Sequence, residues 1–252
     1  MSLYVYCVGE ELSEESLNGL AGVGGAAVRV LRLGRLAAFV SEAEEASAAV
    51  TDENVMAHNR VNAAALAFST PLPFRFGTRA APERLAEYVS ANEAALLEGL
   101  ARVRGCVEMS VKLMSKGEAA GEAGTPFEPA GADAPLKSSA GAAGSGGGLG
   151  TAFLLAKRRE MLGAEDSRRR AEELAAWLAA GLAGLVRDTE ARLSPSEAIV
   201  VRAAHLVERG RVASYRERVR ALRAGRRGVR LLTSGPWPPY SFAGLEPQGG
   251  GR

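Results

Sequence analysis

The chain has 252 residues, 47% of them hydrophobic, which is ample for one large domain or two ordinary ones with buried cores. Its 31 Lys and Arg residues nearly balance its 29 Asp and Glu residues, so the chain as a whole has no general attraction to nucleic acid. No apolar run approaches the roughly eighteen residues of a membrane span, and the N-terminus lacks the pattern of a signal peptide. We therefore expect a globular, soluble, cytoplasmic protein that does not insert into a membrane.

The first forty residues predict the order strand, helix, strand, strand. Residues 3–8 form an apolar run rich in aromatic and β-branched side chains, which is typical of a buried strand. A short helix is expected after Ser13. Residues 28–40 contain two apolar runs on either side of Gly34-Arg35, and this pattern predicts a hairpin.

Two longer helices are expected between residues 51 and 105. Thr51 is placed to cap a helix that extends to about Phe68, with acidic residues near its positive end. Pro82 suits the first turn of a second helix, whose apolar seam ends at Gly105. Between them, the prolines of residues 71–73 favour an extended backbone.

The middle of the chain changes character twice. Residues 107–113 alternate apolar and polar side chains, which predicts a half-exposed strand. Residues 116–150 consist largely of Gly, Ala, Ser and Pro, with few side chains that can pack, and we interpret them as a flexible loop. A long helix is expected over residues 151–193.

The last quarter of the chain predicts two short strands, a helix and a final strand. The two apolar runs at 198–201 and 203–207 give the short strands. Ser214 and Glu217 have the spacing of a capping box, which predicts that a helix begins there. Residues 229–233 give the last strand.

From residue 107 onward the predicted order, once the loop is set aside, is β, α, β, β, α, β, the ferredoxin-like arrangement. We therefore predict an α+β fold of two domains, in which residues 1–104 form an N-terminal α+β domain. Residues 105–244 form a modified ferredoxin-like domain with a flexible, low-complexity insertion at about 116–150, and 245–252 form a disordered tail. The alternative boundary lies within the low-complexity segment itself.

The segment at residues 231–242 is the most distinctive stretch of the chain. The prolines at 236, 238 and 239 lack an amide hydrogen and have a fixed φ, so they exclude a helix or a central strand. Trp237, Tyr240 and Phe242 can then act as aromatic anchors on a stiff, extended segment. The surface that receives them belongs either to this chain or to a partner.

A second segment, residues 70–78, has a similar composition. In an extended backbone, Phe74 and Phe76 point to one side and Arg75 to the other, so the rings can anchor while the guanidinium grips carboxylate or carbonyl groups. Two interpretations of Arg75 stay open. In the first, it ties the two domains together or caps a helix C-terminus. In the second, it contacts a partner.

These segments, together with the Leu3-Tyr4-Val5-Tyr6 strand and the His58-Asn59-Arg60-Val61 helix, resemble the gas vesicle accessory proteins GvpF and GvpL. The resemblance implies two α+β domains and a non-enzymatic role in gas vesicle assembly, with binding to the shell protein GvpA and to other accessory proteins. It implies a place in the cytoplasm and at the gas vesicle. The residues assigned to a partner or interdomain contact are His58, Asn59, Leu72, Pro73, Phe74, Arg75, Phe76, Gly77, Gly235, Pro236, Trp237, Pro238, Pro239, Tyr240 and Phe242.

We predict no catalytic, cofactor-binding or metal-binding residues. The two cysteines, Cys7 and Cys106, lie in apolar runs and are expected to be buried, reduced thiols. His58 has helical spacing from apolar neighbours, so it is expected to face inward and be hydrogen-bonded. Asn59 cannot orient His58 for catalysis, because adjacent helix positions point about 100° apart.

Two other functions compete with the assembly role. One is a nucleic-acid-binding module that uses the arginine-rich residues 216–230, although acidic residues interrupt the basic clusters, which favours solvated helix faces. The other is a hydrolase that uses His58. Salt-dependent binding to DNA or RNA would distinguish the first.

Overall fold

The structure is a computed structural model, and it describes residues 2–17, 19–43, 49–115, 149–194, 199–226 and 228–245. Within these residues the chain forms two antiparallel β-sheets with helices packed against them. The mixed helix and sheet class is therefore as expected. Most of the predicted insertion at 116–150 and of the predicted tail at 245–252 lies outside the described residues.

The first sheet has the strand order β2-β3-β1-β4, and β5 also pairs with β1. Every residue of β1 is buried, because strands pair with it on both sides and apolar clusters cover both of its faces. The predicted buried strand is thus confirmed. The predicted hairpin is also confirmed, as β2 and β3 pair in antiparallel register. The strands are β1 (Leu3–Gly9), β2 (Val28–Leu33), β3 (Leu36–Glu42), β4 (Leu72–Pro73) and β5 (Arg79–Ala80).

Helices α1 (Asp52–Phe68), α2 (Pro82–Ala91) and α3 (Glu93–Val103) pack on this sheet. Thr51 caps α1 as predicted, since its side chain accepts a hydrogen bond from the backbone N–H of Asn54 at 3.2 Å. The prediction of a single helix from Pro82 to Gly105 is wrong, because the helix is interrupted at Asn92, between α2 and α3. The Asn92 side-chain amide donates to the Tyr88 carbonyl at 2.7 Å, which satisfies a backbone group at the end of α2.

The second sheet has the strand order β7-β8-β6-β9, and all of its pairings are antiparallel. Helices α4 and α5 cover one of its faces. The strands are β6 (Cys106–Ser115), β7 (Asp188–Leu193), β8 (Ile199–Glu208) and β9 (Val229–Trp237), and the helices are α4 (Leu149–Gly181) and α5 (Val212–Gly225).

Three local predictions in this half are wrong. The long helix ends at Gly181 rather than Leu193, and β7 follows it, because pairing with β8 outweighs the helical propensity of Glu190, Ala191 and Arg192. The two short strands predicted around residue 202 are one continuous strand, β8. Helix α5 begins at Val212 after a 3-10 turn, so Ser214 lies inside the helix and does not cap it.

Three apolar clusters hold the fold together. One lies between the first sheet and α1, and it includes Tyr6 and Phe39. Another lies under α4 and α5, and it includes Met109 and Leu178. The third lies between the opposite face of the first sheet and helices α2 and α3. It also includes Leu206 of β8 and Phe242. The two sheets therefore share an apolar cluster.

Candidate functional site

Three segments singled out by their sequence meet where the two sheets join. His58 is buried on α1, with Nδ1 3.1 Å from Tyr4 Oη and Nε2 accepting from the Asn62 side-chain amide at 3.0 Å. Burial lowers the pKa of His58 to about 4, so the ring is neutral near pH 7. The prediction that His58 faces inward and is hydrogen-bonded is confirmed.

Tyr240 brings the C-terminal segment to the same place. Its hydroxyl accepts from the Asn62 side-chain amide at 3.0 Å and donates to Asn59 Oδ1 at 3.3 Å. Its ring centroid lies 6.2 Å from that of His58. Tyr240 thus links residues after β9 to α1 through partly buried polar contacts.

The segment at residues 72–77 does not have the predicted geometry around Arg75. Phe74 packs in the cluster shared by the two sheets, whereas Phe76 packs in the cluster under α1, so the two rings do not share a side. The reason is a turn, in which the Thr78 N–H and hydroxyl both donate to the Arg75 carbonyl, at 3.2 and 2.8 Å. Gly77 provides the positive φ of +85° that this turn needs. The Arg75 side chain is exposed.

The C-terminal segment is divided between the sheet edge and the junction. Strand β9 extends through Pro236 to Trp237. A proline is tolerated there because β9 is an edge strand, and its outer side has no neighbouring strand that needs a backbone N–H donor. Gly235 has φ +118°, and a Cβ there would lie 2.8 Å from the Glu108 carbonyl oxygen. Pro238 and Pro239 are buried, whereas Trp237 stays 43% exposed.

Of the predicted aromatic anchors, Phe242 enters the core. It is 3% exposed and belongs to the cluster shared by the two sheets, together with Leu72 and Phe74. The Arg102 guanidinium lies over its ring, 5.7 Å from the centroid, and also forms an ion pair with Asp188 of β7. Trp237 lies apart from this group, and its Nε1 donates to Ser234 Oγ at 3.3 Å.

Sequence reasoning missed several polar residues of the junction. Glu108 of β6 is buried and accepts two hydrogen bonds from Ser241, from the backbone N–H at 2.7 Å and from the hydroxyl at 3.0 Å. Burial raises the pKa of the Glu108 carboxyl. Arg209 donates to the Ser69 carbonyl at 2.9 Å and to Thr70 Oγ1 at 3.1 Å. Asn62 could have been found from the sequence, because it lies four residues after His58 and therefore on the same face of the helix. The sequence contains no such signal for Glu108 or Arg209.

A cleft of about 510 Å³ lies between this junction and the uncovered part of the second sheet. Pro73, Arg75, Tyr240 and Ser241 form one side of it. Strands β6, β7 and β8 form the other side. The charged and hydroxyl side chains that they contribute are Glu108, Ser110, Lys112, Glu190, Arg192 and Arg202.

Arginines of α5 are partly engaged by the backbone of the chain itself. Arg216 donates to the Gly235 carbonyl at 2.7 Å, Arg218 to the Gly181 carbonyl at 3.2 Å, and Arg220 to the Arg216 carbonyl at 3.4 Å. Such contacts hold α5 against β9 and against the end of α4. They weaken the case for residues 216–230 as a free nucleic-acid-binding surface.

The described residues also bear on metal, redox and membrane functions. Within the ranges that the structure describes, no group of three His, Cys, Asp or Glu residues could hold a metal ion. Cys7 and Cys106 are buried and free, as predicted. None of the helices, as far as they are described, combines the length and apolarity needed to cross a membrane.

The profile of a protein family described as "Gas vesicle synthesis protein GvpL/GvpF" matches residues 2–244. The chain belongs to the GvpL/GvpF family. It is similar to Gas vesicle protein L of a Streptomyces strain, with 29% identity across 96% of this chain and 92% of that protein. It is also similar to Gas vesicle protein L1 of Halobacterium salinarum, with 27% identity across 95% and 89%.

Two crystal structures of the gas vesicle protein GvpF share the fold of this member of the GvpL/GvpF family. The structure from Anabaena superposes with a TM-score of 0.70 at 17% identity, across 97% of this chain and 99% of that one. The structure from Microcystis aeruginosa gives the same TM-score and the same coverage at 18% identity. The arrangement of two antiparallel sheets with their helices is thus shared with GvpF. Family membership gives this protein an accessory role in gas vesicles.

Proposed function

We propose that this protein is a non-enzymatic, cytoplasmic assembly factor that binds the shell protein GvpA and other accessory proteins during nucleation or growth of the gas vesicle. The observation that carries the proposal is the family match over residues 2–244. The names of the relatives support a role in gas vesicles, and GvpA as the partner is our inference from the family resemblance. The partner surface and the timing of binding are part of this proposal.

We also propose a division into two α+β domains near residues 104–105, with residues 105–244 ferredoxin-like around the insertion at 116–150. The strand order supports it: in chain order, the strands of the second sheet lie second, third, first, fourth. Helices α4 and α5 follow the first and third of these strands. In this interpretation, the contacts of His58, Asn59, Tyr240 and Phe242 set the orientation of the two domains.

The predicted site residues then divide into two groups. Leu72, Phe74, Pro238 and Phe242 are buried, so we assign them to the interdomain contact. Arg75 and Trp237 are exposed, so we assign them to the partner. In this proposal Arg75 contacts the partner rather than tying the two domains together.

The two edges of the second sheet are suited to an apolar partner. Leu193 on β7, Leu232 on β9 and Trp237 on β9 are 38%, 37% and 43% exposed. Edge strands also present unpaired backbone groups, which can pair with a strand from another chain. A shell subunit with exposed apolar surface before it polymerises would be shielded by such an edge.

A pull-down of co-expressed GvpA tests the proposal. Wild-type protein is expected to retain GvpA, and Trp237→Ala and Arg75→Ala are expected to reduce the retained amount at least severalfold, because interface aromatic and arginine side chains contribute strongly to binding. Phe68→Ala and Arg84→Ala are matched controls, since both side chains are exposed and lie on helices of the first half.

Thermal melting of each variant separates a lost contact from a lost fold. Retention of GvpA by the wild type together with its loss in a folded Trp237→Ala variant supports the assignment of β9 to the partner. A wild-type protein that retains no GvpA would overturn the proposed partner. Equal losses in Phe68→Ala and Trp237→Ala would overturn the proposed surface.

A further inference from the structure

The uncovered face of the second sheet carries three cationic side chains in one row. The register pairs Arg192 of β7 with Arg202 of β8, and Arg202 in turn with Lys112 of β6. Val111 and Val201 directly precede Lys112 and Arg202 in the sequence. They point to the other face of the sheet, into the cluster under α4 and α5. The row therefore crosses three adjacent strands on the face that the helices leave open.

The row places like charges on directly paired positions of neighbouring strands. Side chains directly opposite each other on neighbouring strands have Cβ atoms about 5 Å apart, and like charges at that separation repel. Lys112 and Arg192 have no carboxylate partner among the residues that the structure describes. Arg202 already has an interaction of its own. The charges of Lys112 and Arg192 are therefore those that a negatively charged ligand would neutralise.

The row lines the cleft of about 510 Å³ beside the junction, and Arg75 faces it from the opposite side. Among the described residues that line this cleft, four are cationic and two, Glu108 and Glu190, are carboxylates. Glu108 is already bound by the backbone and hydroxyl of Ser241. The charge of the cleft is therefore complementary to an acidic occupant.

The spacing of the charges indicates the form of that occupant. Neighbouring strands lie about 4.8 Å apart, so the row spreads its three charges over about 10 Å, which is too wide for one small anion to neutralise. The next row along the strands consists of Glu190, Ala204 and Ser110. The small side chains of Ala204 and Ser110 leave room above the sheet beside Lys112 and Arg202. An extended peptide with several carboxylates can span this width, since alternate residues of an extended chain lie about 6.6 Å apart.

The same cleft is poorly suited to single-stranded nucleic acid. Such ligands are held by base stacking on aromatic side chains as well as by charge. Tyr240 is the aromatic side chain that lines the cleft, and its ring packs against His58 while its hydroxyl is bound to Asn59 and Asn62. These contacts tie the ring to α1, and one such side chain offers little surface for base stacking.

We propose that the cleft over Lys112, Arg192 and Arg202 binds an acidic, extended segment of the partner protein. The inference rests on the proposed function, because it specifies the chemistry by which a gas vesicle partner is held. It places this contact on the open face of the sheet, separate from the apolar edges at Leu193 and Trp237.

The test measures binding of a fluorescein-labelled hexaglutamate peptide by fluorescence anisotropy at low salt, with hexalysine as the negative probe. Replacing both Lys112 and Arg192 with Ala is expected to weaken hexaglutamate binding by about tenfold. The matched control replaces Arg220 and Arg223 of α5 with Ala, which removes the same charge from outside the cleft and should change binding by less than about twofold.

Stability provides the second readout. Because the row is repulsive, the Lys112→Ala, Arg192→Ala double variant should melt at the same temperature as the wild type or higher. A lower melting temperature would mean that the row serves the fold and would overturn the inference. The inference would also be overturned if hexaglutamate did not bind the wild type. Equal binding by the cleft variant and the α5 control would overturn it as well.

Two further outcomes separate this inference from its alternatives. A single-stranded thymidine oligonucleotide that binds more tightly than hexaglutamate, and loses binding in the cleft variant, would replace the acidic peptide with nucleic acid. If GvpA is not retained in the pull-down but hexaglutamate binds as expected, the inference stands and only GvpA is excluded as the source of the segment.

Discussion

The two sheets of this protein differ in how completely they are covered. In the first sheet, β1 and nearly all of β3 are buried, and the edge strand β2 is partly protected because Glu14 accepts a hydrogen bond from the Val30 N–H at 2.9 Å. In the second sheet, helices cover one face, while the other carries a cationic row and the edges carry exposed apolar side chains. The first sheet is therefore mostly buried, whereas the second leaves part of one face and both edges open to solvent. The predictions below test that difference.

The largest effect is expected where the two halves share a core. Replacing Phe242 with Ala should lower the free energy of unfolding by about 3–5 kcal/mol, since a fully buried ring is removed from the shared cluster. Trp237→Ala is the matched control, because its ring is partly exposed, and it should cost far less. Urea unfolding measures both.

The shape of that transition sharpens the comparison between the halves. If Phe242 holds the two sheets together as one cooperative unit, its loss should also separate a single transition into two. A Phe242→Ala variant as stable as Trp237→Ala would show that the two sheets do not depend on this cluster.

Each half contains one buried neutral histidine, which predicts how stability changes with pH. Burial lowers the pKa of His58 in the first half and of His205 in the second to about 4, whereas the unfolded chain binds these protons near pH 6.5. Stability from each histidine is therefore fully present above pH 6.5 and is lost as the pH falls toward 4, by up to roughly 3 kcal/mol per histidine.

Unfolding at pH 7, 6 and 5 checks this, with His58→Gln and His205→Gln each expected to flatten the decline. The raised pKa of Glu108 acts in the opposite direction, so each variant is compared with wild type at the same pH. A decline that stays equally steep in both variants would contradict the assignment to these histidines.

The smallest effect is expected at the start of α1. Thr51→Ala removes the acceptor for the Asn54 N–H and should cost about 1 kcal/mol, while Thr51→Ser keeps the hydroxyl and should cost less. Thermal melting measures the difference. An equal loss in both variants would mean that the methyl group of Thr51, rather than its hydroxyl, supports the helix.

Local sequence signals were sufficient for much of the scaffold. The apolar run of β1, the hairpin of β2 and β3, and the cap at Thr51 each depend on neighbouring residues, so the sequence predicts them correctly. It fails at β7, where helix-forming residues become a strand only because β8 lies beside them. It also fails at Phe74 and Phe76, because a local turn, not an extended strand, decides where the rings point.

The sequence by itself determined which segments matter, since the motifs around His58, residues 72–77 and residues 235–242 are distinctive wherever they lie. Only the tertiary structure decided what they contact, because Tyr240 and Phe242 reach His58 and Phe74 across more than half of the chain. The row of Arg192, Arg202 and Lys112 is a still clearer case. Its charges become neighbours through strand register alone, and no local pattern encodes which residues of separate strands stand opposite each other.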